Sequence, residues 1–516
     1  MSEALGSEPL GSEPLGSDAR GTGSLGGPLR RPTVDVGLLN PLGHGTMEAA
    51  LTSDASWLQA MLDAELALTR ALIDADIVPA WMSPVCDALT DAGSLDIMAI
   101  AAQGRGGGNP VIPFVTHLGA AANAVRAGAS DHIHVGATSQ DILDTAAMLI
   151  ASRVTAEVSR QLRRLAGTLA GLAGEHRDTV MAGRTLGQQA SPTSFGFVAA
   201  GWLDAVLSIL QRVDGLRATL PVQLGGAVGN LAVLTEIARS RRPAVPPRNS
   251  MDQVVQGFAG HLGLAVPSLS WHANRVVISE LAAVLASVTG VAGTFALDVT
   301  VLSRTEIAEV SERLGIGEGV SSAMPHKRNP VSSVLIVAAA RQTPGLVATL
   351  FGSMLAEDQR PSGSWHAEWQ SLRVLEGLTI SAVTGAAALA ARLDVDTDRM
   401  RANLDITDGL VFSERVTTIL AEALGKTVAF DLVQRASREA FDTNRPVQVV
   451  LSGVLAAEGC DDELRSQVWA AFAYGCDLGQ STAGIDRVLE RHRAQCGEPF
   501  QAPADDLTHN TARTHT

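Results

Sequence analysis

The chain has 516 residues, with 39 Lys and Arg against 54 Asp and Glu, so its formal net charge is -15. A length of about three times the commonest domain size of ~150 residues excludes a small binding module and predicts about two to four structural units around a large core. The acidic balance argues against a nucleic acid bound across the whole surface, although a local basic pocket can still bind an anionic substrate.

Both ends of the chain are predicted to be disordered, over residues 1–35 and 497–516. The first tail contains LGSEP twice, at residues 5–9 and 10–14, and its Gly, Ser, Pro and Glu cannot bury enough apolar surface to offset the entropy of ordering. It lacks the basic and apolar regions of a secretory signal. The four cysteines show no C-x-x-C pair and no zinc-ligand spacing. We therefore expect a cytoplasmic protein without a structural metal.

Between the tails the pattern of apolar residues is helical, with little of the alternation expected for strands. Ser53 or Asp54 is a candidate cap for a helix over residues 54–75. Aromatic residues make up only 4% of the chain, so the core volume must come from Ala, Val and Leu, which favours closely packed helices. The sequence thus predicts an all-α protein. Further helical stretches without proline cover residues 141–179, 194–220 and 268–312.

We expect an N-terminal unit over residues 36–130, a central helical bundle over 131–393 and a C-terminal unit over 394–496, where the composition becomes more charged. A continuous helix over residues 271–312 in the central unit would be about 63 Å long. It is apolar nearly all round, which in a soluble protein requires burial in a multi-helix or multi-chain bundle. The uncharged run at residues 281–297 is shorter than the ~20 residues that cross a bilayer. We therefore expect a buried core helix in a homo-oligomer, with no membrane partner.

Three stretches are polar and glycine-rich where the flanking chain is apolar. They cover residues 131–145, 182–196 and 315–330. Each places hydroxyl, amide and cationic groups beside the start of a predicted helix, where free backbone amides and the helix dipole favour an anion. Together they predict a carboxylate-binding site.

The third stretch resembles the S-S-x-M-P-x-K-x-N-P signature of the fumarase/aspartase superfamily, which residues 321–330 match as SSAMPHKRNP. The other two stretches resemble the remaining conserved blocks of the superfamily in the same order, and the likeness covers about residues 53–394. Within the superfamily the chain is most similar to the 3-carboxy-cis,cis-muconate cycloisomerase branch. The motifs that carry this similarity are GNP at 108–110, HVGATSQD at 134–141, RTL at 184–186, QQ at 188–189, QLGGA at 223–227, WH at 271–272 and WHAEW at 365–369.

The resemblance implies a three-part fold with a central bundle of long helices, and a homotetramer in which three chains build each active site. It implies no cofactor and no metal, and a small succinate-like or muconate-like polycarboxylate as substrate. Ser321 is then the base that removes a proton next to a carboxylate, Lys327 and Asn329 stabilise the developing charge, and His134 completes the catalytic set. Residues expected to contact the substrate are Asn109, Thr138, Ser139, Gln140, Thr185, Gln188, Asn329 and Arg360.

Two residues depart from the superfamily pattern. Most lyases of the superfamily have a histidine after the Arg-Thr pair that protonates the leaving group, and here that position is Leu186. An apolar side chain cannot donate a proton, so the leaving group should be a weak base, such as a carboxylate with a free pKa of about 4 or nitrite. The second departure is Val320, which replaces a usual glycine before the serine pair and stiffens the loop.

Two reactions are compatible with these residues. The first is β-elimination of a weakly basic anion from a succinate-like substrate to leave fumarate, with nitrosuccinate as the specific prediction. The second is the lactonising cycloisomerisation of 3-carboxy-cis,cis-muconate. A third possibility, from a different class, is an inactive relative with a structural role. The presence of Ser321, Lys327 and Asn329 argues against this last possibility.

Overall fold

The computed structural model describes residues 37–43, 45–46, 49–315, 317–319, 324, 326–474 and 478–497. The two tails that the sequence predicts to be disordered lie outside these ranges, except for Gly497, which follows the last helix. Val320 and Ser321 of the signature stretch also lie outside the described residues.

Seventeen α-helices occur within the described ranges. The first eight are α1 (Asp54–Asp74), α2 (Ser83–Ala88), α3 (Ile97–Gly107), α4 (Val111–Val125), α5 (Ser139–Glu175), α6 (Phe195–Arg217), α7 (Ala232–Arg241) and α8 (Pro247–Leu262). The other nine are α9 (Val276–Leu302), α10 (Val331–Gly352), α11 (Ser364–Ala391), α12 (Thr397–Asp405), α13 (Ser413–Leu424), α14 (Lys426–Thr443), α15 (Val447–Ala457), α16 (Asp462–Ala470) and α17 (Ser481–Cys496).

Five long helices, α5, α6, α9, α10 and α11, pack side by side as the central bundle, and α1 packs against α5. The helices expected over residues 54–75, 141–179 and 194–220 are confirmed as α1, α5 and α6 within a few residues. Of the two candidate caps for α1, Ser53 is the one used, because its hydroxyl accepts a hydrogen bond from the Ser56 amide at 3.2 Å. The mainly helical fold class predicted from the sequence is thereby confirmed.

The helix expected over residues 271–312 is wrong in its length. α9 has 27 residues, about 40 Å at 1.5 Å per residue. At its start the chain is held as a loop, because the Trp271 amide donates to the Gln223 side-chain oxygen at 2.8 Å and the Trp271 indole donates to the Val222 carbonyl at 2.9 Å. The helix ends at Leu302, and the turns that follow include Ala308, which adopts a left-handed conformation with φ of 52°.

Two small antiparallel sheets accompany the helices, and the sequence pattern did not predict them. β1 (Val180–Thr185) and β2 (Gln188–Ser194) form a hairpin, and β3 (Val310–Glu312) pairs with β4 (Leu393–Val395). The hairpin turns through Leu186 and Gly187, which both have positive φ, at 52° and 81°. Such turns usually contain Asn or Gly at both positions, so the leucine hid the turn from sequence reasoning.

An ionic cluster joins three helices of the bundle at one end. The guanidinium of Arg275, just before α9, is buried between Asp144 of α5, at 2.7 Å, and Glu368 of α11, at 2.5 Å. The Trp365 indole also donates to Asp144, at 3.0 Å. Because an unpaired charge at this depth would be costly, the cluster fixes the starts of α5, α9 and α11 relative to one another.

A second hydrophobic core lies in the C-terminal part of the chain. It contains Leu404, Phe412, Leu432 and Phe472, and is separate from the core of the bundle. α17 does not belong to it, because it packs on α5 and α6 and buries Ile485 in the main core. The predicted boundaries at 130/131 and 393/394 stay predictions, and the C-terminal unit as expected over 394–496 contains one helix that rejoins the bundle.

Among the residues that the structure describes, four helices, α6, α9, α10 and α11, are long and apolar enough to cross a membrane by length and composition alone. Their apolar stretches are buried to different degrees within the chain, from 67% for α11 to only 22% for α10. The stretch expected to be a buried core helix, residues 281–297, lies in α9, whose apolar window is 50% buried. The bundle therefore has an apolar surface that one chain leaves uncovered.

Candidate active site

The first polar stretch forms the loop that leads into α5. Asp141, fully buried in the first turn, accepts hydrogen bonds from the amides of Thr138, Gly225 and Gly226 at 2.9–3.0 Å. It also lies 2.7 Å from the Nε2 atom of His272, which is buried as well. The Asp141 carboxylate therefore holds the loop in shape. Its oxygens are already hydrogen-bonded to protein groups, so they are not free to bind a ligand.

Arg360, on the loop between α10 and α11, lies against this start of α5. Its Nη1 atom donates to the Thr138 hydroxyl at 2.8 Å, and its Nε atom donates to the Gln140 side-chain oxygen at 3.3 Å. The Gln140 amide in turn donates to Asp144 at 3.2 Å and to the His272 carbonyl at 3.0 Å. Gln140 is fully buried and fully bonded, so it orients Arg360, while the partly exposed Thr138, Ser139 and Arg360 remain available to an anion.

His134 belongs to the same loop. Its Nδ1 atom lies 2.5 Å from a carboxylate oxygen of Glu65, which is fully buried in α1. Burial alone lowers the pKa of His134, but the charge of Glu65 and the hydrogen bond to it raise the pKa more, so the pKa lies above the ordinary value of 6.5. Glu65 thus favours the protonated form of His134, and Thr138, four residues later in the same loop, contacts Arg360.

Asn109 lies between α3 and α4 and serves as a helix cap. Its side-chain oxygen accepts hydrogen bonds from the amides of Val111 and Ile112 at 3.0 and 3.3 Å. The nearby Gly108 is left-handed, and a Cβ atom there would lie 4.0 Å from His366. The expected contact of Asn109 with substrate stays a prediction, because its acceptor is already occupied by the start of α4.

Thr185 and Gln188 face each other across the hairpin and are exposed. Between them Leu186 is completely exposed, with a relative accessibility of 103%. The base of the hairpin is anchored by Arg184, which forms two hydrogen bonds, at 2.6 and 2.9 Å, to the fully buried carboxylate of Glu309. The hairpin therefore combines an anchored base with an apolar, solvent-exposed tip.

Lys327 and Asn329 precede α10. Lys327 is exposed, and Asn329 is anchored through its amide and side chain to the Gly319 carbonyl, at 3.1 and 3.3 Å. Glu312 of β3 caps α10 by accepting from the amides of Ser332 and Ser333. The expected base, Ser321, lies outside the described residues.

One chain keeps these groups at opposite ends of the bundle. α5 begins beside Arg360 and ends 36 residues later, roughly 54 Å away, where the hairpin begins. α9 begins at the Arg275 cluster and ends about 39 Å away, near β3 and the segment that carries Lys327. The Arg184–Glu309 pair places the hairpin at that same far end. Thr138 and Arg360 are thus brought together, whereas Thr185, Gln188, Lys327 and Asn329 are not brought to them.

Sequence reasoning missed Glu65 and the buried acids Asp144 and Glu368. Glu65 sits between Leu62 and Leu66 on an apolar face of α1, all of them buried. The sequence does place Glu65 among the apolar positions of α1 that face the core. Because buried acids in proteins are paired, this position indicates a partner for Glu65. Its partner, 69 residues away along the chain, was not readable from spacing.

Comparison with known proteins agrees with this architecture. A family model described as Lyase matches residues 46–345. The nitrosuccinate lyase of Streptomyces davaonensis is 46% identical over 81% of this chain and 87% of its own, and the 3-carboxy-cis,cis-muconate cycloisomerase of Pseudomonas aeruginosa is 41% identical over 88% and 96%. The 3-carboxy-cis,cis-muconate lactonizing enzyme from Pseudomonas putida is 34% identical in structure-based alignment, with a TM-score of 0.79 over 89% of this chain and 99% of that chain.

The long-helix bundle and the similarity to these enzymes define a lyase or a cycloisomerase. This chain belongs to the fumarase/aspartase superfamily, whose members act on small polycarboxylates.

Proposed function

We propose that the protein is a lyase that eliminates nitrite from nitrosuccinate and leaves fumarate. The observation that carries this proposal is Leu186 at the exposed tip of the hairpin, between Thr185 and Gln188. If the tip contributes to the site, it supplies no proton donor where related lyases have one. A weakly basic anion such as nitrite leaves without protonation. The similarity to a nitrosuccinate lyase, at 46% identity, supports the same substrate.

The reaction needs one base and a cationic surface. Ser321 removes the proton from the carbon next to one carboxylate, and the electron pair forms the new double bond as the carbon–nitrogen bond breaks. Nitrite departs with the bonding pair. Lys327 and Asn329 stabilise the carboxylate whose charge increases during proton removal. Arg360, supported by Gln140, and the Thr138 hydroxyl hold a carboxylate of the substrate through charge-assisted hydrogen bonds.

We propose that each active site is shared between copies of the chain in a homotetramer. Support comes from the distance of roughly 54 Å along α5 between the cluster at Arg360 and the hairpin. Residues separated by that length of rigid helix meet only when a second copy supplies one of them. The hairpin tip, with Leu186 completely exposed, is the segment that we expect to enter a neighbouring copy.

The uncovered apolar face of the bundle is better explained by contact with other copies of the chain than by contact with a membrane. α10 has an apolar stretch of which only 22% is buried, but it carries the exposed Arg341 near its middle. A charge at the centre of a bilayer costs several kcal/mol, about 2.5–3.5 on insertion scales. Neighbouring bundles bury apolar side chains and leave room for such a cation to find partners.

The experiment is a pair of assays on the purified full chain. Nitrosuccinate is followed by the appearance of nitrite and fumarate, and 3-carboxy-cis,cis-muconate by the loss of its diene absorbance. We expect nitrite release. Ser321→Ala should lower this turnover by about 10²–10⁴-fold, the usual contribution of a positioned base, and should keep the oligomeric state. If neither the wild type nor Ser321→Ala turns over either substrate, the protein is a structural relative instead.

The second candidate is lactonising cycloisomerisation of 3-carboxy-cis,cis-muconate. It is favoured by similarity to cycloisomerases over 88% of this chain and by the close structural match to the lactonizing enzyme. Leu186 is compatible with it, because a carboxylate also leaves without protonation when the lactone reopens. Loss of diene absorbance without nitrite release would replace our proposal by this one.

A further inference from the structure

A carboxylate is buried beneath the candidate site. Glu65 lies in α1 with its side chain fully buried, between the buried residues Leu62 and Leu66. One of its oxygens lies 2.5 Å from His134 Nδ1, and the other forms no hydrogen bond within the described ranges. Burying a carboxylate is costly unless it is paired. Within the described residues, His134 is therefore the one hydrogen-bond partner of the buried Glu65 carboxylate.

His134 is held in an uncommon conformation. Its φ is 58°, in the left-handed region that non-glycine residues rarely adopt. Because Nδ1 faces Glu65, the Nε2 atom lies on the opposite side of the ring, in a side chain that is 21% exposed. Nε2 makes no hydrogen bond to any residue that the structure describes. Four residues later in the same loop, Thr138 contacts Arg360 at 2.8 Å.

The charged groups around His134 come from several elements. α1 contributes Glu65, and α5 contributes Asp141, whose charge also raises the pKa of His134. Asp141 is already bonded to three backbone amides and to His272. The loop before α11 contributes Arg360, whose positive charge is directed at Thr138 and Gln140. Glu65 is thus the acid that bonds directly to the imidazole.

We propose that Glu65 is a positioning residue that holds His134 as an imidazolium, with Nε2–H directed at a substrate carboxylate beside Arg360. The inference rests on the proposed function and deepens it. The substrate then needs a carboxylate that bridges one imidazolium and one guanidinium. The left-handed loop and the buried acid are the structural costs of keeping that cation in place.

The test measures KM and kcat between pH 6 and pH 9 for the wild type and Glu65→Gln, using the substrate that the wild type turns over. The glutamine can still accept from Nδ1–H but removes the charge, so His134 loses its proton at a lower pH. We expect KM of Glu65→Gln to begin rising at least about one pH unit earlier, giving a roughly tenfold higher KM at intermediate pH. The value of kcat should change less than about threefold. In a His134→Gln background, Glu65→Gln should add nothing to KM.

An unchanged pH profile of KM in Glu65→Gln would overturn the proposal, and so would a shift confined to an acid limb of kcat, which would make neutral His134 a base. If Glu65→Gln does not fold, Glu65→Asp replaces it in the test. The shorter side chain moves the negative charge away from His134 by one methylene, so KM should again rise at a lower pH than in the wild type, by a smaller shift. Wild-type protein that turns over neither substrate refutes the proposed function. An active wild type with no shift in either variant refutes only the role of Glu65.

Discussion

Arg360 shows how a single side chain is prepared for anion binding before any substrate arrives. Two of its nitrogen atoms are held by Thr138 and Gln140, and Gln140 is fixed in turn by Asp144 and the backbone of His272. A guanidinium held at Nε and Nη1 keeps its other donors in a fixed plane, which suits a carboxylate. Preorganisation of this kind lowers the entropic cost of binding.

Arg360→Ala should therefore weaken substrate binding strongly. A hydrogen bond to a charged group contributes about 1.5–3 kcal/mol, so kcat/KM should fall roughly 10- to 150-fold, mainly through KM. The kcat/KM of Arg360→Lys should lie between those of the wild type and Arg360→Ala, because the lysine keeps the positive charge but lacks the planar guanidinium. The matched control is Arg435→Ala, which removes an exposed pair with Glu458 and should leave kcat/KM unchanged. Equal effects of the two alanine variants would contradict the role given to Arg360.

Leu186 is the other residue whose local cost indicates function. It combines complete exposure with a left-handed backbone, which costs a non-glycine residue roughly 1–2 kcal/mol. Leu186→Asn should relieve this strain and leave the thermal midpoint equal or higher. It should also lower kcat/KM at least about tenfold, because a polar group brings water into the site. Ile406→Asn, at an exposed apolar residue of the C-terminal part, is the control for both readouts. Full activity of Leu186→Asn would place the hairpin tip outside the site.

At the scale of elements, α11 contains a group that opposes folding at neutral pH. Glu376 is fully buried, and neither carboxylate oxygen has a hydrogen-bond partner among the described residues. Burial raises its pKa well above the ordinary value of 4.5. Above that value the folded state binds a proton that the unfolded state has released, so stability decreases as the pH rises towards the folded-state pKa.

Glu376→Gln should remove this pH dependence. The amide resembles the protonated acid, so the two proteins should have equal stability near pH 4, while at pH 7 the variant should gain at least about 1 kcal/mol in free energy of unfolding. Thermal midpoints measured from pH 4 to pH 8 test this. Glu458→Gln, at a partly exposed position on the C-terminal unit, should show no such divergence. Parallel curves for wild type and Glu376→Gln would show that the carboxyl is satisfied in the assembled protein.

The elements also show what sequence can and cannot specify. Apolar periodicity located α1, α5 and α6 within a few residues, because helix length follows from an uninterrupted stripe and a cap such as Ser53. It overextended the helix at α9, since the stops there are long-range bonds from Trp271 to Val222 and Gln223, which no local pattern reveals. The sequence pattern did not predict the hairpin, because Leu186 occupies a turn position at which Asn or Gly is usual.

For the whole molecule, the motifs identified the chemistry, while the separation between the groups emerged only from the fold. Resemblance assigned Thr138, Thr185 and Lys327 to one site, and the structure places Thr138 at one end of a helix roughly 54 Å long and Thr185 beyond the other. These groups can form one site only if copies of the chain associate.

The most direct measurement mixes two impaired variants at a substrate concentration below the wild-type KM. Arg360→Ala damages one end of the bundle and Ser321→Ala the signature stretch, and under these conditions each should retain about a tenth or less of wild-type activity alone. Subunits exchanged at equal amounts should regain about one quarter of wild-type activity, because random assembly pairs two intact parts in about one site in four. A mixture of Ser321→Ala with Lys327→Ala, both in the same stretch, should regain nothing. No recovery in the first mixture, with exchange of subunits demonstrated, would contradict shared sites.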